Sequence, residues 1–149
     1  MSTRSLWRSI ASKRVLAAAA IAGGLMGLSA ASLAEDLPGF RPGMWEFRRV
    51  IKGGDGKPQN LANKKCTNPT DDMKKQNDML GKAGCTFSPV TRKGNLYTFT
   101  SDCKIQGMSS QSRSVMTVHG DGAYSIDVES RQGAQGTKER LEAKRIGDC

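Results

Sequence analysis

Residues 85–103 read CTFSPVTRKGNLYTFTSDC, the pattern of a β-hairpin flanked by two cysteines. Strand-like segments lie on both sides of Lys93-Gly94-Asn95, and a three-residue connection containing glycine is typical of a tight hairpin loop. Such a loop pairs Arg92 with Leu96, and counting outward from that pair places Cys85 opposite Cys103. The stretch therefore predicts two antiparallel strands joined by a cross-strand disulfide bond.

The four cysteines of the chain form an even set, and the hairpin favours one of three possible pairings. If Cys85 is joined to Cys103, then Cys66 is left to pair with Cys149. Chain-entropy estimates give about 3 kcal/mol for the short bridge and about 4.5 kcal/mol for the long one. A zinc site is the competing interpretation, but the cysteines are widely spaced and His119 is the sole histidine, so the pattern does not favour it.

Segments outside the hairpin extend the β pattern. Apolar and charged residues alternate from Trp45 to Ile51, and a glycine-rich turn follows them. Further strand patterns lie at residues 60–66, 115–117, 124–128 and 138–146, with a hairpin turn signal at Asp121-Gly122. Val115 and Thr117 are predicted to face the same way as Tyr124, Ile126 and Val128. Strands joined by short turns predict an antiparallel β-meander, folded as a curved sheet or a partly open barrel.

A single short α-helix is predicted over residues 69–80. Asn68 is a capping residue, Pro69 suits the first helical turn, and Asp71 and Asp72 complement the positive end of the helix dipole. The two acids could also be metal ligands, but their place in the first turn explains them. The fold class is therefore mainly β, with one helix covering a face or an end of the sheet and two disulfide bonds.

The first 34 residues have the features of a signal peptide. They contain four basic and no acidic residues, an apolar run from Val15 to Leu28, and small residues at Ser32 and Ala34. The run is shorter than the roughly 20 residues that span a bilayer, and no cysteine follows it as in a lipoprotein. We expect cleavage after Ala34, a periplasmic or secreted location, no stable membrane span after cleavage, and a single disulfide-bonded domain over residues 35–149.

Residues 35–149 have a thin core and a moderate positive charge. Leu, Ile, Val and Phe make up 18 of these 115 residues, and 19 basic against 14 acidic side chains leave a net charge of +5. The basic residues lie in short pairs such as Lys64-Lys65 and Lys74-Lys75. Because a basic stripe with interleaved aromatic residues is missing, nucleic acid is not an expected partner.

Short motifs at both ends and in the middle resemble a family of small exported bacterial proteins that is catalogued only as a domain of unknown function (DUF). They are Pro42-Gly43-Met44-Trp45-Glu46, Cys66-Thr67-Asn68-Pro69-Thr70-Asp71-Asp72, the hairpin cysteines, and Arg145-Ile146-Gly147-Asp148-Cys149. The chain departs from the family pattern in the loop after its first strand, which is Gly53-Gly54-Asp55-Gly56-Lys57. The resemblance implies an exported location and a common fold, and it implies no activity.

The candidate site residues are few. Trp45 and Phe47 are expected to be core anchors, with a ligand platform as the alternative for Trp45. Arg145 is expected to stack on an aromatic ring or to bond carbonyl groups near the closing bridge. His119 precedes a turn and has no evident catalytic partner, because the cysteines are expected to be oxidised. We therefore predict no enzyme activity, no catalytic or metal-binding residues and no cofactor.

Two non-catalytic functions are favoured at this point, and an enzyme stays open as a third class that a cleft with a buried carboxylate of strongly shifted pKa would support. The first is a non-catalytic module that binds a small or lipid-like apolar ligand on the curved sheet. The second is a basic interaction module for an anionic envelope component or another exported protein. An apolar pocket would favour the first function, and a continuous basic face without a pocket would favour the second.

Overall fold

A computed structural model describes residues 37–149, so the predicted leader and its cleavage site lie outside the described residues. The described chain forms eight strands and one helix. In chain order they are β1 (Gly43–Lys52), β2 (Pro58–Thr67), α1 (Pro69–Ala83), β3 (Cys85–Phe87), β4 (Thr91–Lys93), β5 (Leu96–Ile105), β6 (Met108–Val118), β7 (Ala123–Gln132) and β8 (Gln135–Gly147). No helix among these residues is long and apolar enough to cross a membrane. The prediction of a mainly β fold with one α-helix is confirmed.

The strands form one open antiparallel sheet. Its order is β2-β1-β8-β7-β6-β5-β3, and β4 pairs with the remaining part of β5. Strands β5 to β8 form a meander, and β8 returns to pair with β1. The strands β2 and β8 are both longer than predicted, because ladder hydrogen bonds between backbone groups continue through polar residues that show no apolar alternation.

The hairpin of residues 85–103 has the predicted strands, but its loop register is shifted by one residue. Lys93 pairs with Leu96 across a two-residue turn, and Gly94 has the positive φ of 63° that a type II′ turn requires at this position. Cys85 nevertheless faces Cys103 as predicted. A β-bulge between β3 and β4 accounts for the one-residue difference, because residues 88–90 there lie opposite only residues 99–100 of β5. Pro89 lies in this bulge and has no N–H that could donate a hydrogen bond to the neighbouring strand.

The core lies on one face of the sheet, and aromatic rings fill most of it. Its buried members are Phe40, Trp45, Tyr97, Met116, Tyr124 and Ala143. The prediction that Val115 and Thr117 face the same way as Tyr124, Ile126 and Val128 is wrong. Met116 pairs with Ile126 and points into the core, so Val115 and Thr117 lie on the opposite face. Val115 and Thr117 on either side of Met116 form strands more readily than methionine, so the pattern indicated them. In a strand, a one-residue change of phase exchanges the two faces.

Helix α1 connects the edge strand β2 with the opposite edge strand β3, so it crosses one face of the sheet. Asn68 caps the helix as predicted, because its Oδ1 accepts a hydrogen bond from the Thr70 amide at 3.1 Å. The helix continues beyond residue 80 and ends at Gly84, whose φ is 111°. A side chain at this position would overlap with the carbonyl oxygen of Lys104, so glycine is required.

The segment before β1 belongs to the folded domain. The amide of Phe40 donates to Oγ1 of Thr70 at 2.9 Å, and the Thr70 hydroxyl donates to the carbonyl of Pro38 at 2.8 Å. The ring of Phe40 lies 4.6 Å from the ring of Tyr124. This segment therefore ties the beginning of the domain to the start of α1 and to the core.

Candidate functional site

The two ends of the domain meet in one cluster around Arg145. Its Nε donates to the carbonyl of Pro42 at 2.9 Å, and its Nη2 contacts the carboxylate of Asp148. Gly43 lies against this guanidinium, with a φ of 152°. A Cβ atom at position 43 would lie 2.6 Å from Nε of Arg145 and 2.5 Å from the carbonyl oxygen of Gly147. Arg145 thus bonds a backbone carbonyl near the closing bridge, and its role here is to hold the chain ends together.

Both disulfide bonds join the pairs that the sequence predicts. Cys66–Cys149 connects β2 to the tail that follows β8, next to the start of β1. Cys85–Cys103 connects β3 to β5. The first pair is exposed, whereas Cys85 is buried. The long bridge therefore holds the edge strand β2 and the chain end from the outside.

Trp45 and Phe47 lie on the core face of β1, but they differ in exposure. Trp45 is 0% exposed; its ring lies 5.8 Å from Phe40 and 5.9 Å from Tyr124, and its Nε1 donates to the carbonyl of Arg41 at 3.0 Å. Phe47 is partly buried, and its ring lies 6.4 Å from Trp45. Trp45 is thus enclosed by protein, whereas Phe47 reaches a cavity next to the core.

A cavity of about 530 Å³, called here the first chamber, lies between the start of α1 and strands β2, β1, β8 and β7. Its apolar wall consists of Phe47, Leu61, Pro69, Met73, Ile126 and Leu141. Its polar wall consists of Arg49, Asn63, Lys65, Asp72, Gln76 and Tyr124. The first chamber is therefore amphipathic, and its ionisable groups come from β1, β2, α1 and β7.

A second cavity of about 260 Å³, the second chamber, lies beneath the later turns of α1. Its apolar wall includes Leu37, Leu80, Phe87, Phe99, Met116 and Val128. Both Arg49 on β1 and Phe87 on β3 line this chamber. These two strands are five strand spacings apart in the sheet, which would separate them by about 24 Å if the sheet were flat. The sheet therefore curves around the helix, and the chambers lie on its concave side.

The charged groups in the chambers are arranged in two ion pairs. Nε of Arg49 lies 3.0 Å from Oε1 of Glu139, and Nζ of Lys65 lies 2.8 Å from Oδ2 of Asp72. The hydrogen bond from Lys65 holds the pKa of Asp72 below its usual range, and a bond of 2.7 Å from the hydroxyl of Thr67 adds to this effect. Asp72 is therefore a stable carboxylate that accepts from both β2 residues.

Tyr124 is the other ionisable group in the first chamber. Burial raises the pKa of its hydroxyl to about 12, and the negative charge of Asp72 contributes to the shift. At neutral pH the group is a neutral phenol, which can both donate and accept a hydrogen bond. The first chamber thus offers a ligand neutral as well as charged polar groups.

A family model described as "Protein of unknown function (DUF3617)" matches residues 40–149. The chain belongs to the DUF3617 family. The matched region begins at Phe40 and ends at Cys149, so it spans the chain-end cluster, both bridges and every lining residue of the chambers except Leu37. Comparison with curated proteins gave no match, and comparison with solved structures gave none.

In this DUF3617 domain, the motifs that carry the family resemblance meet in space. Pro42 and Gly43 contact Arg145, and Cys66 is bonded to Cys149. These residues build the fold and do not line the two chambers. His119 is exposed at a turn, and within residues 37–149 no three His, Cys, Asp or Glu side chains lie together where they could hold a metal ion.

The chamber residues of the DUF3617 domain were largely missed by the sequence reasoning. Arg49 and Gln76 line both chambers. In the sequence, Arg49 is one charged residue of an alternating strand, and Gln76 stands out in no pattern. One usable signal was the arginine among the inward residues of β1, after Trp45 and Phe47. A cation on an otherwise apolar face indicates either a buried ion pair or a ligand.

Proposed function

We propose that this DUF3617 protein is an exported, non-catalytic binding protein that holds a small amphipathic ligand beneath α1. The first chamber carries this proposal, because about 530 Å³ lies within the roughly 300–1,000 Å³ of ligand sites in proteins. Its wall combines apolar side chains with a few convergent polar groups, as such sites do. Export is supported by the leader and by two disulfide bonds, which persist in oxidising compartments.

The packing of α1 supports the same function. Met73 and Leu80 of the helix face the concave side of the sheet, but neither side chain is fully buried there. Pro69 is the one buried residue of α1. A domain with a thin core would gain stability by closing this space with larger side chains. The helix instead covers two open chambers, which is the arrangement expected for a site that a ligand fills.

The convex face of the sheet gives less support to a basic interaction module. Arg140 contacts both Asp127 and Glu142, at 2.9 and 3.1 Å. Lys138 lies 3.0 Å from Glu129 on the neighbouring strand. Because carboxylates alternate with the cations here, the face is charged with both signs and does not form a continuous basic surface.

The proposal is tested with a neutral apolar dye, N-phenylnaphthylamine, whose fluorescence rises in an apolar site. The purified protein should bind the dye, and Gln76→Trp should weaken binding because residue 76 lines both chambers. Met79→Trp is the matched control, since Met79 is an exposed apolar residue on the same helix. Dye binding that is equally strong in both variants, or absent in the natural protein, would refute the proposal.

A direct measurement complements the dye experiment. Protein purified from the cell envelope under native conditions is analysed by mass spectrometry, first intact and then after denaturation. A small molecule released from the natural protein and missing from Gln76→Trp would identify the ligand.

A further inference from the structure

The two chambers are neighbours beneath α1. Both are lined by Met73 and Gln76 of the helix and by Ile126 and Leu141 of the sheet. The helix is about 22 Å long at 1.5 Å per residue, and the chambers follow one another along it. The space beneath it is therefore suited to an elongated molecule that passes between these four side chains.

The two chambers differ in the polar groups that line them. Asn63, Lys65, Asp72 and Tyr124 line the first chamber and not the second. The second chamber also has polar groups, but its two charged side chains, Arg49 and Glu139, are paired at 3.0 Å, and the hydroxyls of Ser101 and Ser112 bond each other at 2.7 Å. A polar head therefore fits best in the first chamber, and an apolar tail can lie along the apolar side chains of the second, which include Leu80, Phe87 and Phe99.

The charge of the first chamber favours an anion. Arg49 and Lys65 stand against a single carboxylate, Asp72, in its wall. Glu139 partly compensates Arg49, but a guanidinium has five N–H donors and the contact with Glu139 engages its Nε side. Donors on Arg49 and Lys65 are therefore available to an anionic group that lies between α1 and the inner face of β1 and β2.

We propose that the ligand is a single-chain amphiphile with an anionic head, a carboxylate or a phosphate. Its head lies in the first chamber near Arg49 and Lys65, and its tail extends into the second chamber. This inference rests on the proposed function, since it names the chemical class of the ligand for the same site.

Displacement of bound N-phenylnaphthylamine from the purified protein by three matched ligands tests the head group. Decanoate and decyl phosphate carry the two anionic heads, and decanol carries a neutral one on the same chain. We expect at least one anion to bind about tenfold more tightly than decanol, because a charge-assisted hydrogen bond replaces a neutral one. The tighter of the two anions shows whether the ligand is of the fatty-acid or the lipid-phosphate kind.

Charge variants locate the head. Lys65→Gln should remove most of the preference for the anions, whereas Asp72→Asn should increase it by removing the opposing carboxylate. Lys64→Gln is the matched control, because it changes the net charge equally while its partner in the ladder is Glu46, on the other face of β1. Lys64→Gln should change neither the anion preference nor the affinity for decanol.

A tail variant and a set of outcomes complete the test. Leu80→Trp narrows the second chamber, so it should weaken the binding of decanoate more than the binding of hexanoate, whose shorter chain reaches less far into that chamber. Equal binding of decanol and both anions, or an anion preference that Lys65→Gln leaves intact, would overturn the inference while dye binding still supports the proposed function. Failure of the dye itself to bind would overturn both.

Discussion

Replacing Gly43 by alanine should be strongly destabilising, although it adds only one methyl group. Gly43 has a φ of 152°, a conformation that L-residues rarely adopt, and the strain of forcing one there is about 1–3 kcal/mol. The new Cβ would also lie 2.5 Å from the carbonyl oxygen of Gly147 and 2.6 Å from Nε of Arg145. Neither position is compatible with van der Waals contact, so β1, β8 or the guanidinium must move.

The total cost follows from what that movement breaks. Moving the guanidinium gives up its hydrogen bond to the carbonyl of Pro42, and a bond with a charged donor contributes about 1.5–3 kcal/mol. Strain and the lost bond together give a loss of about 3–5 kcal/mol in the free energy of unfolding. For a domain of this size, the melting temperature should fall by about 10–20 °C.

Urea unfolding followed by circular dichroism, with the disulfide bonds intact, measures this loss. Gly39→Ala is the matched control, because a Cβ at position 39 has no atom within 4 Å, and this change should be neutral or slightly stabilising. Arg145→Ala should lower the free energy of unfolding less in the Gly43→Ala variant than in the natural protein, because the variant has already lost the hydrogen bond from Arg145 to Pro42. If the free energy of unfolding of Gly43→Ala lies within about 1 kcal/mol of that of the natural protein, the start of β1 can shift freely and the predicted clash does not occur.

Three further predictions concern the bridges, the pH dependence and the leader. Replacing both Cys66 and Cys149 by serine should lower the free energy of unfolding by about 4.5 kcal/mol, against about 3 kcal/mol or less for Cys85 and Cys103; the reverse ranking in urea unfolding would contradict an entropic origin. The lowered pKa of Asp72 stabilises the fold above its ordinary pKa of 3.8, and this contribution is lost as the pH falls through the lowered value. Asp72→Asn should therefore cost about 1 kcal/mol or less in the free energy of unfolding at pH 7, and this cost should shrink as the pH falls below 3.8, as measured by unfolding over a series of pH values. The intact mass of protein purified from the cell envelope should correspond to cleavage after Ala34, and retention of Met1 would exclude it.

Local patterns in the sequence predicted the elements well, and the errors arose where one residue changed the phase of a strand. The pairing of Cys85 with Cys103 was predicted from a three-residue loop, whereas the loop has two residues and the bulge at Pro89 restores the register. The sequence does not show how many residues a bulge absorbs, because that depends on the ladder hydrogen bonds of both strands. The predicted facing of Val115 and Thr117 was wrong for a related reason, since Met116 between them takes the core position opposite Ile126.

The chambers lay beyond sequence reasoning because their walls come from most parts of the domain. Leu37, Arg49, Gln76 and Leu141 are far apart in the sequence and converge only when the sheet curves beneath α1. No local pattern contains this curvature. The chain-end motifs were visible because each is a short contiguous segment, but their contact through Arg145 was not.

The pairing of β1 with β8 constrains the order in which the domain is assembled as its chain is made. Phe47 pairs with Ala143, so the first strand to emerge from the ribosome or a translocation channel acquires its second neighbour only when the last strand has also emerged. Until then β1 has only β2 beside it, and a two-stranded hairpin is at best marginally stable in water. The meander of β5, β6 and β7 can therefore form early, whereas β1 and β2 join the sheet only after β8 has emerged.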